Sequence, residues 1–273
     1  MTPDGEEKLE AFFGAWADGT TPVLLLDYDG TLAGFRVNRF LARPWAGVRE
    51  LLSQIQAKGK TWLAVITGRP AAEIAPMLAL PEPVEVWGLH GAERLYPDGR
   101  RELELAPAAT QARLEEVKEQ LRRDALGGLF EDKANGAVMH WRGLGRTQKL
   151  QVEARAQALF EPLAKLDGLA LQEFESGLEL RAGRNKGGAV KAILAEMRAA
   201  GKKPGPVAYL GDDLSDESAF KAVNALETPR VSVLVQRKCR ETAAEVWVRP
   251  AGDVVGFLKK WEKAGNRDQG LRD

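Results

Sequence analysis

Two aspartates separated by a single residue follow the first apolar run of the chain. The run Val23–Leu26 leads straight into Asp27-Tyr28-Asp29-Gly30-Thr31. Because ligands of open α/β sheets bind at the carboxyl ends of strands, we expect both carboxylates to share one site. An ionised Asp27 could attack the phosphorus of a phosphate ester, while Asp29 could protonate the leaving oxygen and later accept a proton from water. A turn held by aspartate side chains is the alternative for this segment taken alone.

A carboxylate that attacks an anionic phosphorus needs positive charge beside it, and Lys186 is a candidate for supplying it. Lys186 begins a helical pattern that continues with Val190, Ile193 and Leu194. An exposed lysine is the ordinary expectation at such a position. A cation in the first turn opposes the helix dipole, however, so an anionic neighbour would explain its presence.

A second group of carboxylates follows the apolar run Val207–Leu210. The next segment, Gly211–Glu217, contains Asp212, Asp213 and Asp216. These side chains would repel one another without a cation, and oxygen ligands of this kind suit Mg²⁺. Capping of the following helix by the carboxylates is the alternative.

A third apolar run, Trp62–Ile66, is followed by Thr67-Gly68-Arg69-Pro70. A hydroxyl group and backbone N–H groups at the start of a helix suit a phosphate. Simple N-capping of that helix by Thr67 is the alternative. Three apolar runs therefore end in groups that could act together on a phosphate ester.

The elements that must position these residues alternate between strand and helix. Further strands are predicted at Val84–Trp87, Val231–Val235 and Val246–Val248. This alternation predicts an α/β fold with a doubly wound, mostly parallel sheet. Between residues 108 and 182 it is interrupted by two helical patterns, each followed by a pair of short strands. We therefore predict a catalytic core of residues 1–107 and 183–273 and an inserted α+β cap domain of residues 108–182.

The strand pairs of the insert are typical of hairpins, and they predict a polar face. The first hairpin joins Leu129–Lys133 to Ala137–Arg142, and the second joins Leu169–Phe174 to Leu178–Arg181. Alternation places Glu131 with Lys133 on one face and His140 with Arg142 on one face, whereas Met139 and Trp141 point the opposite way. Such charged groups could bind sugar hydroxyls. A solvated face with cross-strand charge pairs is the alternative.

Composition and charge exclude several classes of function. Among 273 residues, Lys+Arg and Asp+Glu are equal at 39 each, so no bulk charge attracts nucleic acid or an anionic membrane. The single cysteine excludes an internal disulfide and a Cys-rich zinc site. No apolar run is long enough to span a bilayer, and the acidic amino terminus lacks the pattern of a secretory signal. We therefore expect a cytoplasmic protein.

A helix is predicted near the amino terminus, where Leu9, Phe12, Phe13 and Trp16 fall on one face. A helix packed on its own core is the expected interpretation, since apolar stripes are usually buried. A helix that binds a partner is the alternative.

The order of nucleophile loop, threonine loop, lysine and acidic loop resembles the motif set of the haloacid dehalogenase superfamily. The resemblance implies that Asp27 is the nucleophile and becomes an aspartyl-phosphate, and that Asp29 is the general acid and base. Thr67 and Lys186 would hold the phosphoryl group. The Asp27 carboxylate, the Asp29 backbone carbonyl and Asp212 would bind Mg²⁺, with Asp213 and Asp216 supporting these ligands.

Within that superfamily, further segments resemble trehalose-6-phosphate phosphatases. They are Gly88–Glu93, Glu131-Asp132-Lys133 with His140-Trp141-Arg142, Glu179-Leu180-Arg181 before Asn185–Gly188, and Gly211–Phe220. Two departures are Thr67, where serine is frequent, and Ala182, where proline is frequent. The resemblance implies a glucose-linked disaccharide phosphate as substrate. The candidate substrate-binding residues are Arg69, His90, Glu131, Lys133, His140, Arg142 and Glu179.

The expected function is Mg²⁺-dependent hydrolysis of trehalose 6-phosphate to trehalose and phosphate. The alternatives within the same cap type are phosphatases for sucrose phosphate, glucosylglycerol phosphate or mannosyl-phosphoglycerate. A phosphomutase would keep the phosphate on sugar, and a regulatory sensor would bind a sugar phosphate without turnover. The expected partner is a small sugar phosphate, and we predict a monomer that is functionally coupled to a trehalose-6-phosphate synthase.

Overall fold

The computed structural model describes residues 3–16, 19–36, 38–123, 127–133, 135–166, 168–174 and 176–265. Contacts divide the chain into two compact units. The first comprises Met1–Glu102, Asn185–Asp212 and Asp216–Asp273, and the second comprises Leu103–Arg184 and Asp213–Ser215. The predicted division into a catalytic core of residues 1–107 and 183–273 and an inserted cap domain of residues 108–182 stays a prediction.

The first unit is built around a mostly parallel sheet. Its strands are β1 (Thr21–Leu26), β2 (Trp62–Ile66), β3 (Glu85–Gly88), β4 (Glu93–Leu95), β5 (Arg101–Leu103), β10 (Pro204–Gly211), β11 (Arg230–Val235) and β12 (Val246–Val248). Among the described residues their order is β12-β11-β10-β1-β2-β3-β4-β5. The strands from β12 to β3 pair in parallel, and β4 is antiparallel to β3. The predicted α/β fold class is confirmed, and β4 and β5 extend the sheet beyond the strands predicted from sequence.

Helices cover both faces of this sheet because its central strands are apolar on both sides. The helices of the first unit are α1 (Pro3–Gly14), α2 (Val48–Ala57), α3 (Ala71–Leu78), α6 (Lys186–Ala199), α7 (Glu217–Asn224) and α8 (Gly252–Ala264). Along β1, Leu24 and Leu26 join the core that contains α1, α2, α3 and α8. Val23 and Leu25 join the core that contains α6 and α7. Alternate side chains of this one strand thus contribute to two hydrophobic cores.

The amino-terminal helix packs inside the first core. Leu9, Phe12 and Phe13 are buried, and both phenylalanine rings lie within 6.4 Å of the Trp261 ring on α8. The interpretation of this stripe as a core-facing surface is therefore confirmed.

The second unit is a four-stranded antiparallel sheet with two helices. The helices are α4 (Ala108–Arg123) and α5 (Arg146–Phe160), and the strands are β6 (Phe130–Lys133), β7 (Gly136–His140), β8 (Leu169–Phe174) and β9 (Gly177–Ala182). Their order among the described residues is β6-β7-β9-β8, so both predicted hairpins are confirmed. The predicted end of the second strand is wrong by two residues, since β7 ends at His140 and Arg142 lies in the turn that follows, whereas the other boundaries differ by at most one residue. No helix in the described ranges combines the length and the apolar character needed to cross a bilayer.

Candidate active site

Lys186 joins two carboxylates in the interior of the first unit. Asp27 follows β1 and Asp212 follows β10, and these neighbouring strands are parallel, so their carboxyl ends lie side by side. Lys186 is the first residue of α6. Its Nζ lies 2.7 Å from Asp27 Oδ1 and 2.6 Å from Asp216 Oδ1. The lysine is 2% exposed, so the expectation of an ordinary surface lysine is wrong, and the predicted anionic neighbours are present.

Asp216 is held by three donors and is fully buried. Its Oδ1 accepts from Lys186 and from the Tyr209 hydroxyl at 2.5 Å, and its Oδ2 accepts from the Asp212 N–H at 3.0 Å. Asp216 occupies the N-cap position of α7, yet its carboxylate makes no capping hydrogen bond there. The alternative that this carboxylate simply caps the next helix is therefore wrong. Its contacts fix the Asp212 backbone and the Lys186 ammonium.

Burial and charge set the protonation of this group. Burial raises the pKa of Asp27 to about 7, and the charge of Lys186 opposes that increase. Burial lowers the pKa of Lys186, but Asp216 and Asp27 outweigh it and the pKa is raised. Burial, followed by the charge of Asp216, also raises the pKa of Tyr209. Lys186 therefore stays a cation and Tyr209 stays a hydrogen-bond donor near neutral pH.

The side chain of Asp29 is bound by Arg69. The Nε and Nη2 atoms of Arg69 donate to the two carboxylate oxygens of Asp29. The third guanidinium nitrogen donates to the Arg39 carbonyl at 2.8 Å, and the guanidinium lies 5.9 Å from the centre of the Tyr28 ring. The sequence analysis gives Arg69 as a candidate substrate-binding residue. In the structure its guanidinium binds the Asp29 carboxylate and the Arg39 carbonyl of the protein itself.

The loop after β2 differs from its expected geometry. Helix α3 begins at Ala71 rather than at the threonine, and the Ala71 N–H donates to the buried carboxylate of Glu93 at 2.7 Å. Thr67 Oγ1 instead accepts from the Arg69 N–H at 3.2 Å. The alternative that Thr67 caps this helix is therefore wrong, whereas the predicted position of the segment 67–70 directly before a helix is confirmed. A phosphate at this loop would meet Thr67 and the backbone of the turn, because the first N–H of α3 already has a partner.

His90 lies beside the same loop. Its backbone N–H donates to the Thr67 carbonyl at 2.8 Å, and its buried ring packs so close to Gly68 that a Cβ there would come within 2.6 Å of the ring. Thr67, Arg69 and His90 thus lie close together where β2 and β3 end.

The carboxylates of this site fit a divalent metal. Oxygen atoms of Asp27, Asp212 and Asp216 lie within 4.8 Å of one another. A Cβ placed on Gly30 would come within 1.9 Å of Asp212 Oδ2, so the Asp212 carboxylate lies directly against the loop that begins with Asp27. These oxygen donors suit Mg²⁺. Because both Asp216 oxygens already accept hydrogen bonds, Asp27 and Asp212 are better placed as direct ligands.

Asp213 belongs to a different group of contacts. Its carboxylate accepts from the Leu214 N–H at 2.7 Å, within the segment that is grouped with the second unit. Among the described residues, the carboxylates whose spacing could hold a metal are those of Asp27, Asp212 and Asp216, without Asp213.

The second unit carries a polar face on its sheet. The pairing of β6 with β7 and of β7 with β9 puts Glu131, Lys133, His140 and Glu179 on one side. Lys133 Nζ lies 3.1 Å from Glu179 Oε1, and His140 Nε2 lies 2.8 Å from Glu131 Oε2. Met139 and Trp141 are buried in the hydrophobic core of this unit. The predicted division into a polar and an apolar side agrees with this arrangement.

The structure differs from the sequence-based prediction at three residues: Arg142 lies elsewhere than predicted, and Arg181 and Tyr209 were not predicted as site residues. Arg142 is exposed and donates to Ser176 Oγ at 3.2 Å, so its predicted place on a strand beside His140 is wrong. Arg181 shares the face of Glu179, 3% exposed, and donates to the carbonyls of residues 183 and 184. The alternation from Glu179 could have identified Arg181. Nothing in the local pattern of β10 singles out Tyr209 as a partner of Asp216.

The fold is similar to that of a haloacid dehalogenase-like hydrolase of B. subtilis, with a TM-score of 0.60 at 16% identity, over 87% of this chain and 98% of that chain. The chain is similar over 93% of its length to the C-terminal domain of a Candida albicans trehalose-6-phosphate phosphatase, with a TM-score of 0.78 at 20% identity and 96% of that chain covered. This likeness establishes the shared fold.

A family model described as trehalose-phosphatase matches residues 25–247, and the chain belongs to that family. It is 33% identical over 220 residues to a trehalose-phosphate phosphatase of Mycobacterium marinum, with 76% of this chain and 53% of the relative covered. It is 34% identical over 208 residues to a probable trehalose-phosphate phosphatase of Sinorhizobium fredii, with 74% of each covered. The chain thus spans about half the length of the mycobacterial relative.

Proposed function

We propose that this protein is a Mg²⁺-dependent phosphatase that hydrolyses trehalose 6-phosphate to trehalose and phosphate through an aspartyl-phosphate on Asp27. The observation that carries the proposal is the contact between the buried Asp27 carboxylate and Lys186 Nζ at 2.7 Å, beside Asp212 at the adjoining strand end. Membership of the trehalose-phosphatase family supports the choice of substrate.

In the first step, an Asp27 carboxylate oxygen attacks phosphorus and the bond from phosphorus to the sugar oxygen breaks. Asp29, once one of its oxygens has left Arg69 and taken up a proton, gives that proton to the sugar oxygen, so the sugar leaves as a neutral alcohol. Lys186, held between Asp27 and Asp216, provides positive charge against the phosphoryl oxygens. The Thr67 hydroxyl and the turn around it contact the same group.

In the second step, water attacks the phosphorus of the aspartyl-phosphate and Asp29 accepts a proton from that water. The bond between phosphorus and the Asp27 oxygen breaks, which restores the carboxylate and releases phosphate. The carboxylates of Asp27 and Asp212 and the Asp29 backbone carbonyl would hold Mg²⁺, which would supply positive charge beside the transferring group. Asp216 orients the Asp212 backbone, and Asp213 is proposed to support the same site.

The polar face of the second unit is proposed to select the sugar. Glu131, Lys133, His140 and Glu179 offer charged donors and acceptors in fixed pairs. Such pairs bind hydroxyl groups strongly when they are shielded from water. Arg142, on the turn beyond β7, is a further candidate for contact with the sugar. The monomeric state, cytoplasmic location and functional coupling to a trehalose-6-phosphate synthase remain predictions.

The test is release of phosphate from trehalose 6-phosphate beside sucrose phosphate, glucosylglycerol phosphate and mannosyl-phosphoglycerate, with and without Mg²⁺. We expect metal-dependent preference for trehalose 6-phosphate in the wild type and its loss in Asp27→Asn. Preference for a different phosphate would keep the chemistry and reject the assigned sugar. Activity that survives Asp27→Asn would reject the nucleophile, and transfer of labelled phosphate to another sugar position would indicate a mutase. The absence of turnover on every substrate would favour a sensor.

A further inference from the structure

A cleft lies at the opposite end of the central strands from Asp27. It has a volume of about 880 Å³ and is lined by Thr21, Trp62 and Glu85, the first residues of β1, β2 and β3. Asp27 follows the last residue of β1, so strand geometry puts it roughly 20 Å from this end. The volume is within the range of small-molecule sites, roughly 300–1,000 Å³. The cleft is therefore separate from the proposed active site.

The wall of the cleft contains a buried network of charged side chains. Arg94 and Glu85 are each 6% exposed. The Arg94 guanidinium lies 2.7 Å from Glu85 and 2.6 Å from a carboxylate oxygen of Glu196. Glu85 also accepts from the indole N–H groups of Trp62 at 3.1 Å and Trp87 at 2.7 Å. These contacts fix the positions of the hydrogen-bond donors and acceptors in the wall of the cleft.

Two polar atoms in the lining residues are left unsatisfied. Arg94 Nε, a donor, and Gln56 Oε1, an acceptor, are buried and have no hydrogen-bond partner among the described residues. Both residues line the cleft. Both atoms are buried within the wall, so they add to its polar character but are not themselves accessible to an occupant of the cleft.

The charge and the aromatic content of the lining define the class of ligand that fits the cleft. The charged lining residues balance, with three cations and three anions: Lys60, Arg94, Lys202, Glu82, Glu85 and Glu196. An ion of either sign would meet repulsion from part of this set, whereas hydroxyl groups can donate to carboxylates and accept from ammonium groups. The rings of Trp62 and Tyr96 add amphipathic surfaces. A polyhydroxylated, uncharged molecule matches all of these groups.

We infer that the cleft between Trp62, Tyr96, Arg94 and Lys202 is a binding site for an uncharged sugar, separate from the active site and independent of turnover. This inference goes beyond the proposed function. Helix α6 carries Lys186 at its first residue and Glu196 near its last turn, so one helix contributes to both places.

The test uses the full chain labelled with 5-fluorotryptophan, and follows the ¹⁹F resonance of Trp62, assigned by Trp62→Phe. Trehalose and glucose are the probes. We expect a saturable shift of this resonance with each sugar, in the wild type and also in Asp27→Asn. In Ala200→Phe, which puts a ring into the cleft from an exposed position, the half-saturation concentration should increase about tenfold or more. The matched control is Ala199→Phe, an exposed neighbour that does not line the cleft, and it should titrate like the wild type.

Two further outcomes would overturn the inference. One is a Trp62 resonance that does not saturate, or that titrates equally in the wild type and in Ala200→Phe. The other is tighter binding of glucose 6-phosphate or glucosamine than of glucose, since the site is assigned to uncharged molecules. Because the titration needs no phosphate release, its failure and the failure of the proposed phosphatase activity are separate results.

Discussion

Arg69 places two nitrogen atoms of its guanidinium on the two carboxylate oxygens of Asp29. A planar fork of this kind fixes the plane of the carboxylate as well as its position. The Arg39 carbonyl and the Tyr28 ring hold the guanidinium in turn. Asp29 is the residue proposed to transfer the proton. Its side chain is therefore oriented by Arg69, which the sequence analysis assigned to substrate binding.

Arg69→Lys tests whether this residue orients Asp29 or binds substrate. A lysine keeps the charge but cannot make the fork, so we expect kcat to fall about tenfold to a hundredfold with little change in KM. Steady-state phosphate release measures both constants. Arg39→Lys is the matched control, because it keeps the carbonyl that Arg69 uses. An increase in KM at constant kcat would instead support the substrate-binding role.

Lys186→Met tests the electrostatic role of the buried lysine. Removing this cation deprives the buried Asp27 and Asp216 of their shared ammonium partner, which lowers the free energy of unfolding by about 3–5 kcal/mol. We expect that loss in metal-free protein, and partial recovery with Mg²⁺, because a bound cation restores charge balance. Denaturant unfolding with and without Mg²⁺ measures both. Lys191→Met, on an exposed position of the same helix, should have little effect. Equal stability of Lys186→Met and the wild type without metal would contradict this account.

The parallel strands could be predicted because buried strands of this kind are continuous apolar runs. The short strands β4 and β5 could not, since Glu93 and Arg94 are charged in sequence and buried in the structure. Their partners lie on other elements: the Ala71 N–H and Arg101 for Glu93, and Glu85 and Glu196 for Arg94. Local patterning carries no information about such partners.

The same limit explains what was predicted of the site. The sequence predicts that three residues lie close together, because each follows a predicted strand or begins a predicted helix: Asp27, Lys186 and Asp212. The contact between Asp29 and Arg69 joins residues 40 positions apart through long side chains, which no periodicity specifies. Arg142 was misplaced because the position at which β7 ends depends on its pairing with β9.

Gly30→Ala tests whether the metal site needs close contact between two loops. A Cβ at Gly30 would come within 1.9 Å of Asp212 Oδ2, whereas a Cβ at Gly19 would meet nothing within 4 Å. Both glycines have positive φ, +80° and +74°, so both substitutions share the same backbone strain. We expect Gly30→Ala to lose Mg²⁺ affinity by about tenfold or more and Gly19→Ala to keep it. Isothermal titration calorimetry with Mg²⁺ distinguishes the two, and equal affinities would argue against Asp212 as a ligand.

The raised pKa of Asp27, about 7, predicts a pH-dependent metal affinity. Below that value the metal-free protein holds a proton on Asp27, and the metal must displace it. Mg²⁺ affinity should therefore rise with pH up to about 7, by up to about tenfold per pH unit. Between pH 3.8, which is the ordinary pKa of the aspartate side chain, and about pH 7, Asp27 holds more protons in the folded state than in the unfolded state. The contribution of Asp27 to the free energy of unfolding therefore falls as the pH rises through this range. Calorimetry across pH 5–8, with Asp213→Asn as the control that keeps this dependence, measures the affinity. A flat profile would contradict protonation of Asp27.

Glu179→Gln tests the polar face of the second unit. Glu179 is 1% exposed, and its carboxylate pairs with Lys133 at 3.1 Å, so the amide keeps the shape and removes the charge. We expect kcat/KM for trehalose 6-phosphate to fall about tenfold to a hundredfold, since a buried site built for hydroxyl groups loses one charged acceptor. Activity on p-nitrophenyl phosphate, which has no sugar, should stay unchanged. Glu173→Gln, on the opposite face of the same sheet, is the matched control. An equal loss on both substrates would mean that Glu179 acts through the fold rather than through the sugar.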